Sequence, residues 1–92
     1  MTKKSTAQAF AEGRNGRCHN ALTDGQTYWL HGYPIVVNEG RSVVFYWHGF
    51  YTRTTAAHMN EVLKALGVQF AHMSYAAARD AKATHWVLEG GV

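Results

Sequence analysis

Three turn signals between residues 20 and 50 constrain the fold of this chain more than any other feature of its sequence. They are Thr23-Asp24-Gly25, Gly32-Tyr33-Pro34 and Asn38-Glu39-Gly40-Arg41, which hold the residue types that tight turns require. The segments around them are too short for stable helices and are rich in β-branched and aromatic residues. We therefore predict four antiparallel strands in a meander, one ending near Leu22 and the others at residues 26–31, 35–37 and 42–48.

The apolar side chains of these strands predict where the core lies. In the second strand Tyr28 and Leu30 share one face, because successive side chains alternate across a strand. The fourth strand is apolar on both faces, so we expect it to be central or covered on both sides. Its second apolar face is expected to hold Val44, Tyr46 and Phe50. The aromatic residues assigned to the core are Phe10, Tyr28, Phe45, Trp47, Phe70 and Trp86, and those assigned to the surface are Trp29, Tyr33 and Tyr51.

The clearest helical pattern follows Thr54 and Thr55, either of which suits the N-cap position. A stripe of apolar residues at the i, i+3, i+4, i+7 spacing comes next, made up of Met59, Val62, Leu63 and Leu66. Gly67 lies where such a helix is expected to end. This spacing predicts one amphipathic helix that buries a single face.

The remaining elements complete an α+β fold. Ser5 and Ser74 are expected to cap two shorter, alanine-containing helices. Residues 68–72 are a candidate for a short strand, and residues 85–88 are predicted to close the sheet. We therefore expect one domain over residues 1–92, with an antiparallel meander sheet of four to five strands packed with two or three helices.

The net charge of +3 is concentrated near the N-terminus. Residues 1–17 hold one acidic residue, Glu12, against four basic residues, Lys3, Lys4, Arg14 and Arg17, while the later charges balance. We predict that residues 1–17 form a basic N-terminal helix and loop, whose Arg14, Asn15 and Arg17 contact an anionic partner such as phosphate. A solvated arm that aids solubility is the alternative reading.

Several classes of function find no support in the sequence. Cys18 is the only cysteine, so the chain forms no internal disulfide, as is typical of a reducing cytoplasm. The six histidines lack metal-ligand spacing, and no catalytic acid/base pair or phosphate-binding glycine loop is recognisable. The N-terminus lacks the apolar core of a signal peptide or membrane span. We expect a small soluble protein that binds a partner, with no catalysis, cofactor, metal or membrane attachment.

Basic and aromatic residues mark the surface that we expect to bind the partner. Such mixtures are typical of proteins that bind single-stranded nucleic acid, where bases stack on aromatic rings. The predicted binding residues are Lys3, Lys4, Arg14, Asn15, Arg17, Arg41, Arg53, Trp29, Tyr33 and Tyr51.

Part of the sequence resembles small accessory proteins of bacteriophages and other mobile elements. The segments concerned are Asn20-Ala-Leu-Thr-Asp-Gly25, Tyr28-Trp-Leu-His-Gly32-Tyr-Pro-Ile35 and Gly49-Phe-Tyr-Thr-Arg-Thr-Thr55, with Asn60. In size and general character the chain most resembles a type I-F anti-CRISPR protein. The resemblance implies an inhibitor that binds the RNA-guided Csy surveillance complex in the host cytoplasm.

The basic character of the chain constrains how such an inhibitor works. A pI near 9.3 excludes imitation of DNA. The chain is instead expected to dock on the guide RNA or on an acidic subunit surface and to block hybridisation of target DNA. The candidate contacts are Arg14, Arg17, Arg41 and Arg53. The alternatives are a phage regulator that binds free nucleic acid and a virion protein that self-associates.

Overall fold

The computed structural model describes residues 3–89. It contains a six-stranded antiparallel sheet whose strands lie side by side in chain order, with three helices. The elements are α1 (Lys3–Ala11), β1 (Gly16–Cys18), β2 (Ala21–Thr23), β3 (Thr27–Leu30), β4 (Tyr33–Asn38), β5 (Ser42–Tyr46), α2 (Arg53–Ala65), α3 (Tyr75–Ala81) and β6 (His85–Glu89). This confirms the predicted α+β meander. Residues 1, 2 and 90–92 of the predicted domain lie outside the described part.

The strand β1 was not predicted, and it raises the number of strands from the expected four or five to six. Gly16 and Arg17 lie within the predicted N-terminal loop, so Arg17 belongs to a strand and not to a mobile connection. Arg17 lies opposite Leu22, and Cys18 lies opposite Ala21. Gly16 and Cys18 are buried, whereas Arg17 is exposed. A three-residue segment is too short to show the alternation of apolar and polar residues that predicts a strand. Pairing with β2 and packing beside α1 hold it in the sheet.

The helices cover only one face of the sheet, here termed the inner face. The stripe of α2 places Met59, Val62 and Leu63 there, each at most 1% exposed. Burial of each such side chain stabilises the fold by about 1.5–3 kcal/mol. Phe10 of α1 meets Tyr28 edge-on, with ring centroids 6.3 Å apart. Residues of all three helices join one hydrophobic cluster with the inner-face residues of the strands.

The strand register shows which residues lie on the opposite face of the sheet, here termed the outer face. Its residues alternate with those of the inner face: Arg17, Leu22, Thr27, Trp29, Val37, Ser42, Val44, Tyr46, His85, Val87 and Glu89. β5 lies between β4 and β6, as predicted for a central strand. Its Val44 is only 5% exposed, between Val37 and Val87 of the neighbouring strands.

Some predictions for apolar side chains were wrong. Phe70 is 79% exposed and not part of the core, and residues 68–72 form no strand. Residues 68–72 connect α2 to α3 without pairing to a strand, so Phe70 lies on a loop at the surface. Trp86 is half-buried against the core. β5 ends at Tyr46, earlier than predicted, so Phe50 lies beyond the strand and is exposed.

The helix boundaries follow the capping side chains. Thr52, and not Thr54 or Thr55, caps α2: its hydroxyl accepts from the Thr55 N–H at 3.2 Å, while Thr55 itself is buried. The predicted cap Ser74 is confirmed, since it accepts from the backbone of Ala77. α1 begins at Lys3, before the predicted cap Ser5. Within residues 3–89, no helix combines the length and apolar character needed to cross a membrane.

The turn between β2 and β3 provides a test of this fold. Gly25 has φ +93°, and a Cβ atom there would collide with the backbone carbonyl group of Gly13. Gly40 has a similar φ of +89°, but no described atom lies within 4 Å of its Cβ position. We expect Gly40→Ala to lower the free energy of unfolding by about 1–2 kcal/mol, the cost of a left-handed conformation.

Gly25→Ala adds a backbone collision to the same strain, so we expect a loss of about 3 kcal/mol or more. Urea denaturation of both variants measures the difference. Equal losses would contradict the close approach of α1's C-terminal turn to the β2–β3 turn.

Candidate binding groove

One end of the sheet gathers two turns and the start of the longest helix. Because neighbouring strands run in opposite directions, the β1–β2 and β3–β4 turns share this end with the end of β5. α2 begins a few residues after β5 and therefore starts at the same place. The β2–β3 and β4–β5 turns lie at the opposite end, here termed the far end.

Two adjoining cavities open where these elements meet, and together they are termed the groove. The first measures about 520 Å³ and is lined by Leu30, His31, Tyr33, Ile35, Phe50, Thr52, Thr54 and Thr55. The second measures about 390 Å³ and is lined by Lys3, Cys18, His19, Asn20, Leu30, His31, Thr54 and His58. Leu30, His31 and Thr54 line both, so the groove runs from α1 to the β3–β4 turn.

Two exposed aromatic rings form one wall of the groove. Tyr33 and Phe50 are 47% and 43% exposed, and their ring centroids lie 4.9 Å apart. The His48 ring lies 5.7 Å from that of Tyr33, and its Nε2 donates to the Pro34 carbonyl at 2.6 Å. The wall therefore offers apolar ring surface to a ligand while neighbouring contacts hold the rings in place.

The start of α2 supplies hydrogen-bonding groups to the groove. The Thr52 hydroxyl donates to the hydroxyl of Thr55 at 3.0 Å, and Thr54 is exposed between the two cavities. The first turn of α2 contains no acidic residue. The N–H groups at a helix N-terminus carry partial positive charge, so this part of the groove favours an anion.

The charged residue that lines the groove is basic. Lys3 lines the second cavity beside His19 and His31, and neither cavity is lined by an aspartate or glutamate. A concave surface with cationic groups and no carboxylate raises the local concentration of anions. The groove therefore combines an electropositive part with an exposed aromatic wall.

A buried hydrogen bond lies beneath the groove. The Tyr28 hydroxyl lies 2.6 Å from Nδ1 of His58, which is 7% exposed. Burial, together with the smaller effects of the nearby Lys3 and His31, lowers the pKa of His58 to about 4. Burial also raises the pKa of the Tyr28 hydroxyl, so this group keeps its proton. Tyr28 therefore donates to a neutral imidazole, and the bond connects β3 to α2.

The groove brings together only two of the predicted binding residues, Lys3 and Tyr33. Arg53 is the first residue of α2 but lines a separate cavity beside the α2–α3 loop. Tyr51 was predicted to be exposed; it is half-buried against Trp47, and its hydroxyl donates to the Ala83 carbonyl at 2.6 Å. Its contacts are those of a structural residue.

The other predicted residues lie on different surfaces. Arg17 and the half-buried Trp29 share the outer face, where they line a shallow depression of about 450 Å³. Arg14 and Asn15 lie at the far end, and the Nε of Arg14 donates to Glu12 at 2.7 Å. The β4–β5 turn places Arg41 at the same end, whereas Lys4 is exposed on α1.

Sequence reasoning missed most of the residues that line the groove, such as Phe50 and Thr54. A signal was present in the two His-Gly pairs, since His31 and His48 both adopt positive φ, at 52° and 54°. These pairs mark the turns that bring the chain to this end of the sheet. Three histidines line the groove, but within residues 3–89 no group of three or more histidine, cysteine, aspartate or glutamate residues is arranged to hold a metal ion.

No known protein family, curated protein or solved structure matches this chain. The groove geometry and the chemistry of its lining therefore remain as the grounds for assigning a function.

The buried imidazole predicts a pH-dependent stability. The pKa of His58 is about 4 in the folded chain against 6.5 for an ordinary histidine, so the unfolded chain takes up the proton first. The stability that neutral His58 contributes is fully present above pH 6.5 and is lost as the pH falls toward 4. The shift corresponds to about 3 kcal/mol.

Urea denaturation across this pH range measures the effect. We expect His58→Gln to flatten the pH dependence, because glutamine does not titrate. His72→Gln, a change to an exposed histidine that bonds to Asn60, is the matched control and should behave as the unmodified chain does. Identical pH dependence in all three proteins would show that His58 is not held neutral by burial.

Proposed function

We propose that this protein acts by binding and not by catalysis, and that its groove takes a segment of single-stranded RNA. The observation that carries this proposal is the combination, in one groove, of the exposed Tyr33 and Phe50 rings with a cationic, carboxylate-free lining. Nucleic acid suits both the basic lining and the aromatic wall, because each nucleotide carries a negatively charged phosphate group and a planar base.

The electropositive part of the groove suits the phosphate backbone. Lys3 and His31 lie beside the N-terminal turn of α2, whose N–H groups are suitable donors to phosphate oxygens. Such contacts position a strand without reading its sequence. The groove therefore accepts a backbone segment of any sequence.

The aromatic wall suits unpaired bases. Tyr33 and Phe50 expose their rings beside the phosphate-binding part of the groove, so a base that leaves the strand can stack on them. Bases inside a duplex present their edges and not their faces, so a stacking wall selects single strands. The exposed Arg17 and the half-buried Trp29 of the outer face supply a second contact surface for a larger partner.

The resemblance to type I-F anti-CRISPR proteins gives the proposal its specific form. The single strand is then the guide RNA of the Csy surveillance complex in the host cytoplasm, and occupation of the RNA blocks hybridisation of target DNA. Exposed arginines outside the groove, namely Arg14, Arg41 and Arg53, are then contacts to acidic subunit surfaces. The alternative is a phage regulator that binds free nucleic acid through the same groove.

A binding experiment tests the groove and separates these two forms. Labelled single-stranded RNA and the assembled Csy complex are titrated with the protein, and R-loop formation by the complex is measured in parallel. Stacking is worth about 1–3 kcal/mol per base, so Tyr33→Ala with Phe50→Ala should weaken binding by about 10-fold or more. Lys3→Gln should reduce the slope of log affinity against log salt by about 0.7.

Phe70→Ala is the matched control, because Phe70 is 79% exposed but lies in the α2–α3 loop away from the groove. Tight binding to the complex with loss of R-loop formation supports the inhibitor, whereas equally tight binding to free RNA supports the regulator. Binding to neither, or binding that the groove variants leave unchanged, would overturn the proposal.

A further inference from the structure

β6 is an edge strand with one side open. It pairs with β5 on one side, and within residues 3–89 no strand pairs with its other side. The opposite edge of the sheet, β1, is three residues long, whereas β6 is five residues long. Natural edge strands are commonly protected by proline, lysine or a bulge, and the β6 sequence His-Trp-Val-Leu-Glu contains neither proline nor lysine.

The hydrogen-bond pattern shows which backbone groups face the open side. The Trp47 N–H donates to the Thr84 carbonyl at 3.0 Å, so these two residues form a hydrogen-bonded pair. Such pairs alternate along an antiparallel ladder with pairs that are not hydrogen-bonded. Trp86 and Leu88 therefore bond to β5, whereas the N–H and C=O groups of His85, Val87 and Glu89 point to the open edge.

The sequence of β6 is complementary to itself when two copies run antiparallel. With Val87 of each copy on the two-fold axis, His85 lies opposite the partner's Glu89, and Trp86 lies opposite the partner's Leu88. His85 and Glu89 share the outer face with Val87, so the opposed pairs bring imidazole beside carboxylate twice. A shift of two residues in either direction would remove both of these pairs.

An apolar depression on the inner side adjoins the same edge. It measures about 550 Å³, and its lining includes Trp86, Phe70 and alanines of α3. Phe70, at its rim, is the most exposed large apolar side chain among residues 3–89. Exposed apolar surface beside an open strand edge is typical of an interaction site.

We propose that β6 pairs antiparallel with β6 of a second copy of this chain, joining the two sheets into one. The outward N–H and C=O groups of His85, Val87 and Glu89 form the new ladder, and the His85–Glu89 pairs set its register. This dimer does not depend on the proposed function of the groove, which lies at the β1–β2 and β3–β4 turns.

Sedimentation velocity, from low-micromolar to near-millimolar concentration, tests the dimer on the full chain. The unmodified chain is expected to move from the mass of one 10.3 kDa chain to twice that mass as concentration rises. Val87→Pro removes an outward N–H without removing a bond to β5, so it should keep the fold and abolish the dimer. Circular dichroism checks that each variant is folded.

Charge reversal tests the register. Glu89→Lys should weaken the dimer at least 10-fold, and the double variant with His85→Glu should restore it, because the opposed charges are complementary again. Glu12→Lys makes the same charge change just after α1, away from β6, and should leave the dimer affinity unchanged. A chain that stays monomeric, a dimer that Val87→Pro leaves intact, or a double variant that fails to restore it would each overturn the proposal.

Discussion

The hydrogen bond between the Tyr28 hydroxyl and Nδ1 of His58 determines where α2 crosses the sheet. It connects β3 to α2 across the two layers of the domain, within a core whose other buried polar residues are threonines among the described residues. Loss of either partner would leave a buried polar group unsatisfied, at a cost of about 1–3 kcal/mol, so an alternative packing of α2 that separates the two is disfavoured. Thr54 and His58 of α2 both line the groove, so this bond connects the sheet to the part of α2 that forms the groove.

One-sided coverage of the sheet explains why the molecule has more than one usable surface. All described helices pack on the inner face, so the outer face keeps Trp29 and Tyr46 beside a row of valines, and β6 keeps an open edge. The groove differs from both surfaces, because it combines charge with exposed rings. The proposed RNA-binding groove at one end of the sheet and the proposed dimer edge along β6 therefore lie on separate surfaces. The two surfaces do not compete for the same residues.

The parts of the fold that depend on local chemistry were predictable from the sequence. The turn residues predicted β2 to β5, and the apolar stripe predicted α2, because turn conformation and helical period are encoded within a few residues. β1 was not predictable, since three residues depend wholly on their partner strand for pairing. Phe70 was assigned to the core by its apolar character alone, although it lies in the α2–α3 loop, which leaves it exposed. The predicted basic residues are close in sequence, but the ends of α1 place Lys3 and Arg14 at opposite ends of the sheet.

A map of the residues that contact a bound strand tests whether the groove binds RNA. Amide chemical shifts of ¹⁵N-labelled protein, recorded while single-stranded RNA is added, give that map residue by residue. Binding in the groove predicts the largest changes at Lys3, in the β1–β2 and β3–β4 turns and from Phe50 to Thr55, with little change at the far end around Arg14 and Arg41. Changes confined to the far end or to the outer face would contradict it.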